Sequence, residues 1–478
     1  MTPRKPCPLI PSPLEAYAQY FDDLFSQLAQ RRSFREYLQG LLLARDRNKT
    51  LTGLVGTEPV VGAQDAAVQR LQNFVSEAPW DARAVNQRRL EVRQADPQST
   101  THAGGVLIID DTGDRKSGRQ TAHVGRQYLG SVGKIDNGIV VVSTLWADEE
   151  RYYPLHAEPY TPARRLPKGK SDPAFRTKPQ IALELIEAAL DVGVLFRAVV
   201  ADSGYGENPT FIDGLLAADL PYVVRVKPTE GIWAPVDAVH TPQEAAEEVS
   251  WGGPAEPRGW SPVIRQFRDG HTETWWAAEL VYGPYGPQRS VRRVVATTAP
   301  VQLPAGSTWY VETTLPAPRS KPARQSPMAA ADREEVVRLY GLRGWVEQSY
   351  KQIKHELGWA DAMVRSDKAL RRHWLLVFCA FAFCWFHWLR DAPTQAPGEP
   401  ERESAAQAEE KKGGSAFDCV AGSLAASSWL VGPMDDAPAM VAGMGPGTTT
   451  ARVPNTARLG RRRAFPKFVS HPRLTNYR

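Results

Sequence analysis

From residue 16 to about 92, apolar residues recur at spacings of three and four. Tyr17, Phe21, Leu24, Phe25 and Leu28 set the period; residues 64–77 and 82–92 read as further helices, separated near Pro79. Such spacing brings side chains to one face of a 3.6-residue helix, so it predicts a helical N-terminal region over residues 1–100. The texture changes at Gly104. Val106-Leu107-Ile108-Ile109 is short and wholly apolar, the pattern of a strand buried on both faces, and it runs into Asp110-Asp111-Thr112-Gly113, a turn signal. Residues 138–146 and 151–156 read as two more strands, and 178–192 as an amphipathic helix. Residues 198–201 form another buried apolar run ending at Asp202-Ser203-Gly204, followed by a helix over 211–218 and a strand over 222–226.

Three strands, helix, strand, helix, strand is the order of an RNase H-like α/β domain. The expected fold class is therefore α/β, with an RNase H-like catalytic domain preceded by the helical region. The first part of that core spans residues 101–228. Residues 229–332 interrupt it with Trp, Pro and Gly and with alternating pieces such as 274–281 and 291–297, read as a β-rich insertion. Helical texture returns over 333–392. After Asp391 the chain becomes rich in Pro, Ala, Gly, Ser and charge, so residues 393–478 are expected to be a low-complexity, disordered tail. The tail's basic end carries Arg461, Arg462, Arg463 and Lys467.

Composition changes this picture little. Apolar residues make up 42% of the 478, enough for a core, and Lys plus Arg exceed Asp plus Glu by 58 − 53 = 5. That excess fits a DNA-binding protein whose acidic site offsets basic surface. The four cysteines, Cys7, Cys379, Cys384 and Cys419, form no CxxC pair, which argues against a structural zinc site or a disulfide framework and for a reducing cytoplasm. No apolar segment opens the first thirteen residues, so no signal peptide is expected. The most apolar run, 374–389, falls short of the roughly 20 residues of a membrane span and contains His387, so it is read as a buried core helix. Walker A, GxGxxG and HExxH motifs are absent from the sequence.

The candidate chemistry lies where strands end. Carboxyl ends of strands in an open α/β sheet converge, and two apolar runs end in aspartate: Asp110 or Asp111 after the first, Asp202 after the fourth. An aspartate there also serves ordinary turns, so neither is decisive alone. The third element is Tyr340-x2-Arg343-x3-Glu347-x6-Lys354. If Gly344 opens a helix, Glu347 and Lys354, seven residues apart, return to nearly the same face, with Arg343 one turn before Glu347. Trp345, Tyr350 and Ile353 would supply the packing side.

This Tyr-Arg-Glu-Lys spacing resembles the signature of a large group of bacterial insertion-sequence DDE transposases. Asp110-Asp111-Thr112-Gly113, Lys116, Gly118, Arg126-Gln127-Tyr128, Gly130, Gly133-Lys134 and Asp136-Asn137 resemble the first motif of one branch, and Ala201-Asp202-Ser203-Gly204-Tyr205-Gly206 is similar to the second. The resemblance covers roughly residues 16–390. It implies a catalytic and metal-binding triad of Asp110, Asp202 and Glu347, with Asp110 favoured over Asp111 by the family's Asp-x-Thr pattern. It implies two Mg²⁺ ions, replaceable by Mn²⁺, since hard carboxylate oxygens suit them. It also implies DNA contacts from Tyr340, Arg343, Lys354, Arg225, Lys227 and Trp309. The partners implied are transposon terminal repeats and target DNA, bound by a homodimer in the cytoplasm, on the nucleoid, with no membrane. Two other functions fit parts of the pattern: a metal-dependent nuclease that cuts without joining, and a transposon-derived DNA-binding protein without catalysis. The presence of all three carboxylates with Arg343 and Lys354 argues against the second.

Overall fold

The computed structural model describes residues 12–44, 47–229, 241–267, 271–280 and 291–391. The tail after Asp391 with its basic end, the first eleven residues, Cys7 and Cys419 lie outside them, as do parts of the β-rich insertion. Among the described residues the helices are, in chain order, α1 (Pro13–Gln19), α2 (Leu28–Leu42), α3 (Leu51–Leu54), α4 (Ala66–Ser76), α5 (Ala82–Ala95), α6 (Lys178–Asp191), α7 (Ser203–Gly206), α8 (Pro209–Ala217), α9 (Pro242–Glu247), α10 (Lys321–Gln325), α11 (Arg333–Gly341), α12 (Gly344–Lys351) and α13 (Asp367–Asp391). The strands are β1 (Val106–Arg115), β2 (Gly125–Leu129), β3 (Lys134–Ala147), β4 (Tyr152–Tyr160), β5 (Ala198–Ala201), β6 (Tyr222–Arg225), β7 (Ser261–Gln266), β8 (Thr272–Glu279), β9 (Arg292–Thr297) and β10 (Thr308–Thr313).

Two compact units emerge. The first comprises the described parts of Met1–Thr100, Lys116–Val124 and Ser349–Met434. Its centre is α13, which packs against α1, α2, α4 and α5. The helix has 25 residues against the 16 of the apolar run, because it begins in a polar stretch. By length alone it could cross a bilayer, yet most of its side chains are buried within the unit, including Arg372, His373 and His387. Arg372 explains how a charge is tolerated there. Its guanidinium donates to the carbonyls of Phe74, Val75, Ala78 and Trp80 and lies 4.1 Å from the Trp80 ring centroid. Helices leave their last carbonyls unpaired, and a buried cation at the end of α4 satisfies several at once. Cys379 and Cys384 are buried packing residues, as expected.

His373 gives this unit a pH signature. Its Nε2 faces the Gly358 carbonyl at 3.1 Å and so carries the proton, leaving Nδ1 to accept from the Tyr37 hydroxyl at 2.9 Å. Burial, aided by Lys116, depresses its pKa from 6.5 to about 4 against the opposing pull of Gly358. A depressed folded pKa gives stability that is complete above pH 6.5 and lost as pH falls towards 4. The loss amounts to about 3 kcal/mol at 1.36 kcal/mol per unit. In equilibrium unfolding between pH 7.5 and 4, His373→Gln is expected to start less stable than wild type, with the gap narrowing by that amount as pH falls. A constant gap would show that His373 is not held neutral.

The second unit comprises the described parts of Thr101–Arg115 and Gly125–Gln348. Its sheet runs β2-β3-β1-β5-β6-β10-β9-β8-β7, with β4 also on β3. Taken over β4-β3-β1-β5-β6 this is the mixed RNase H-like sheet: β1 is antiparallel to β3, and β5 is parallel to both β1 and β6. Helix α6 packs on β3 and β4. The strands of the insertion region continue this sheet, because β10 pairs antiparallel with β6. Behind them Trp260, Ala278, Val295, Tyr310 and Val226 share a buried apolar cluster with α9.

The strand bearing the first aspartates corrects the sequence reading. Asp110-Asp111-Thr112-Gly113 is no turn, since β1 continues to Arg115, paired along its whole length with β3. Long pairing with one neighbour overrides the local turn preference. The strand over 151–156 likewise extends as β4 to Tyr160, and β2 has no counterpart in the expected pattern.

Candidate active site

The site begins where β1 loses one neighbour. On the β5 side pairing stops at Ile109↔Ala201, so Asp110 and Asp202 are the next residues of adjacent parallel strands. Asp202 leaves the sheet to cap α7, its Oδ1 accepting from the amides of Gly204 at 3.0 Å and Tyr205 at 3.4 Å. Asp111 has a separate set of partners. Its Oδ2 accepts from Lys178 Nζ at 3.0 Å and the Tyr205 hydroxyl at 3.4 Å.

Arg343 joins the carboxylates. It lies between α11 and α12, and Gly344 opens α12 as the spacing suggested. Trp345 fixes the start of α12 by stacking on Tyr152, centroids 4.6 Å apart. The guanidinium then reaches back over the strand ends. Nη2 is 2.9 Å from Asp110 Oδ2 and 3.9 Å from Asp202 Oδ2, and Nη1 is 3.5 Å from Glu347 Oε1. One cation is thus within 4 Å of all three carboxylates of the expected triad. Arg343 is mostly buried, and its Nε has no hydrogen-bond partner. Glu347 is the most open of the three, with 67% of its side chain exposed.

The electrostatics follow from that crowding. Burial pushes the Asp110 carboxyl up to about 7; Arg343 opposes this, and Asp202 and Asp111 reinforce it. Burial disfavours the Arg343 charge, yet Asp110, Tyr340, Asp202 and Glu347 hold its pKa above the ordinary range. Tyr340 is itself buried, which raises its phenol pKa. Among the described residues no three acidic, His or Cys side chains are already gathered around one point. The donor set nevertheless fits hard divalent cations: three carboxylates converge on one positive group, and the carboxyl of the mostly buried Asp110 is pushed up despite Arg343.

The remaining expected site residues are placed variously. Arg225 ends β6. Lys227 pairs with Glu207 at 2.9 Å. Trp309 contacts the Tyr340 ring at 5.0 Å between centroids and lies 4.3 Å from the guanidinium of Arg265, which also lies 4.3 Å from the Trp275 ring. Lys354 lies in a π-helical turn, Gln352–Glu356, in the first unit. The 100° step behind the same-face expectation for Glu347 and Lys354 therefore does not hold throughout. Lys178, the partner of Asp111, was not singled out by sequence reasoning; it lies 67 residues from that aspartate and carries no local signal.

Comparison with known proteins places the chain in a family. A family model described as DDE superfamily endonuclease matches residues 21–275, more than half of the chain and a stretch holding Asp110 and Asp202. A second, described as transposase DDE domain, matches residues 171–383, which hold Asp202 and Glu347. A probable transposase for insertion sequence element IS701, from Microchaete diplosiphon, is 33% identical over 351 residues, 73% of this chain and 80% of that protein. The chain belongs to the DDE transposases of insertion sequences, enzymes that cleave DNA and transfer its strands.

Proposed function

We propose that this transposase cuts DNA at the ends of its own element and joins the freed 3′-hydroxyl ends to target DNA, using Asp110, Asp202 and Glu347 as its metal ligands. DDE transposase domains depend on divalent metal in general; the proposal here is two Mg²⁺ ions, with Mn²⁺ able to replace them. Convergence of the three carboxylates on Arg343 carries the reading. When bound, two such ions stabilise the attacking and leaving oxygens of a phosphodiester together. Asp110, which meets the same Arg343 nitrogen as Asp202, would hold metal from the strand end beside it. Asp202 offers Oδ2 while its Oδ1 is tied to α7, and the exposed Glu347 can adjust from the helix. In cleavage, water attacks phosphorus and the bond to the 3′ oxygen breaks. In joining, that 3′-hydroxyl attacks a target phosphorus and the bond to the target's own bridging oxygen breaks. No oxidant and no covalent enzyme intermediate is needed.

Arg343, Tyr340, Lys354, Arg225 and Lys227 are proposed to position the phosphate backbone, a role that fixes register without reading sequence. Trp309 is proposed to meet a base at the cleaved end. The enzyme acts as a homodimer on DNA, since two ends must be held at once. The test is to incubate the full chain and Mg²⁺ with a linear duplex carrying the sequences that flank its coding region, plus a plasmid target. Both excised and joined products are expected. Nicks without joining would favour a nuclease, and no cleavage at all would sink the reading.

A further inference from the structure

One element of the first motif has no task in the site. β2 and β3 form a hairpin, Tyr128 paired with Ile135 across the strands and Val132 in the turn. Alternation puts Arg126 on the same face as Tyr128. These positions should be dull and polar if the hairpin were only solvated surface. Instead Tyr128 is 59%, Ile135 60% and Val132 40% exposed, three large apolar side chains together on one element. Cations flank them. Lys134 adjoins Ile135, and Arg115 Nε contacts Asp136 at 3.2 Å. The amide of Asn137 lowers the Asp136 pKa, and Arg115, Lys134 and Arg126 add to the effect. Alternation places Arg126 on the apolar face and Lys134, Asp136 and Arg115 on the other, so the hairpin with the end of β1 carries three cations against the Asp136 carboxylate, distributed over both faces.

The hairpin is rigidly indexed to the site. β3 is one unbroken strand in which Ser143 pairs with Asp110, so Ile135 lies eight residues further along. At roughly 3.3 Å per residue this is about 26 Å. It corresponds to about 8 base pairs of a duplex passing Asp110, at 3.4 Å per step. Apolar side chains among cations can wedge between base steps while the cations hold phosphates. Such contacts sense deformability and backbone, not base identity. They suit the DNA whose sequence is not fixed, the target, better than the element's ends, which must be recognised. A second copy of this chain is disfavoured as the occupant, because bringing two such hairpins together would oppose Arg126 to Arg126 with no carboxylate among the residues named on that face.

We infer that the β2–β3 hairpin is a target-DNA wedge, in which Tyr128, Ile135 and Val132 unstack a base step of the target duplex while Arg126 beside them, and Lys134 and Arg115 on the hairpin's other face, hold the backbone on either side. The inference rests on the transposase reading above.

The test separates the two reactions. Tyr128→Ala with Ile135→Ala, in the full chain, is assayed for cleavage of end DNA and for transfer of pre-cleaved ends into a linear target. Cleavage is expected to stay at wild-type rate while transfer falls about tenfold. Wild type is expected to prefer targets with a single mismatch about 8 base pairs from the joining position, where unstacking is easier, and the variant to lose that preference. The companion Arg126→Ala with Lys134→Ala leaves the apolar pair intact. It should flatten the log–log salt dependence of target binding by about 0.9 for each phosphate no longer neutralised. Unchanged transfer, or cleavage and transfer falling together, would overturn the inference. So would loss of a DNA-free dimer on light scattering, since the face would then be a protein interface. A wild-type enzyme that cleaves no end DNA would instead indict the underlying reading.

Discussion

Asp110→Asn is expected to lower cleavage of transposon-end DNA by about a thousandfold or more in Mg²⁺, with end binding nearly unchanged. The substitution removes a ligand's charge at almost constant volume, and hard divalent cations need that charge. A thousandfold is about 4 kcal/mol of transition-state stabilisation, at 1.36 kcal/mol per tenfold. Asp202→Asn and Glu347→Gln should behave alike. The neighbouring Asp111→Asn is the informative control. Its carboxylate is taken up by Lys178 and Tyr205, so its loss should cost far less. Gel-based cleavage rates, with binding measured on the same end duplex, decide the matter. Wild-type cleavage by Asp110→Asn, or a larger loss from Asp111→Asn, would move the first ligand to Asp111.

Part of this arrangement was legible in the sequence because its cause is local. Val106–Ile109 and Ala198–Ala201 are wholly buried, and runs so apolar have few other places to go. Gly344 opening α12 was likewise readable. What escaped the sequence depends on partners far along the chain. β1 runs on through Asp-Asp-Thr-Gly because β3 pairs with it, and no pattern in residues 110–113 reports a neighbour at 138–147. The insertion was readable as β-rich, but alternation reveals strands and not which edge they join; β6 supplies that edge. The apolar run over 374–389 was recognisable as core, yet its packing against α1, α2, α4 and α5 was not, because an apolar stripe does not name its partner. Arg343 was noticed for its spacing from Glu347, but spacing shows only the i,i+4 contact. Its reach to Asp110 and Asp202 crosses 233 and 141 residues and follows from how α11 and α12 meet the strand ends.

That reach leads to the second large effect. Arg343 stands within 4 Å of three carboxylates and supplies their counter-charge. A divalent cation drawn to the same oxygens must compete with it, since two positive groups cannot share that volume without repulsion. At an effective dielectric of 20, unit charges about 4 Å apart interact by about 4 kcal/mol. Solvent at the open Glu347 side screens part of this, so about 1.4 kcal/mol, or tenfold, is a reasonable net effect. Arg343→Gln is therefore expected to bind Mn²⁺ about tenfold more tightly than wild type without DNA, read by electron paramagnetic resonance of free Mn²⁺. The same variant should melt at a lower temperature without metal, its carboxylates repelling one another, and recover the difference as Mn²⁺ is added. Its cleavage rate should nevertheless fall by about a hundredfold, because a guanidinium displaced from the carboxylates becomes free to meet the phosphate, and Gln cannot supply that charge. Tighter metal binding with slower cleavage separates this role from a merely structural one, in which both would weaken together. Weaker Mn²⁺ binding by Arg343→Gln would show that the guanidinium organises the carboxylates for metal and does not stand in metal's place.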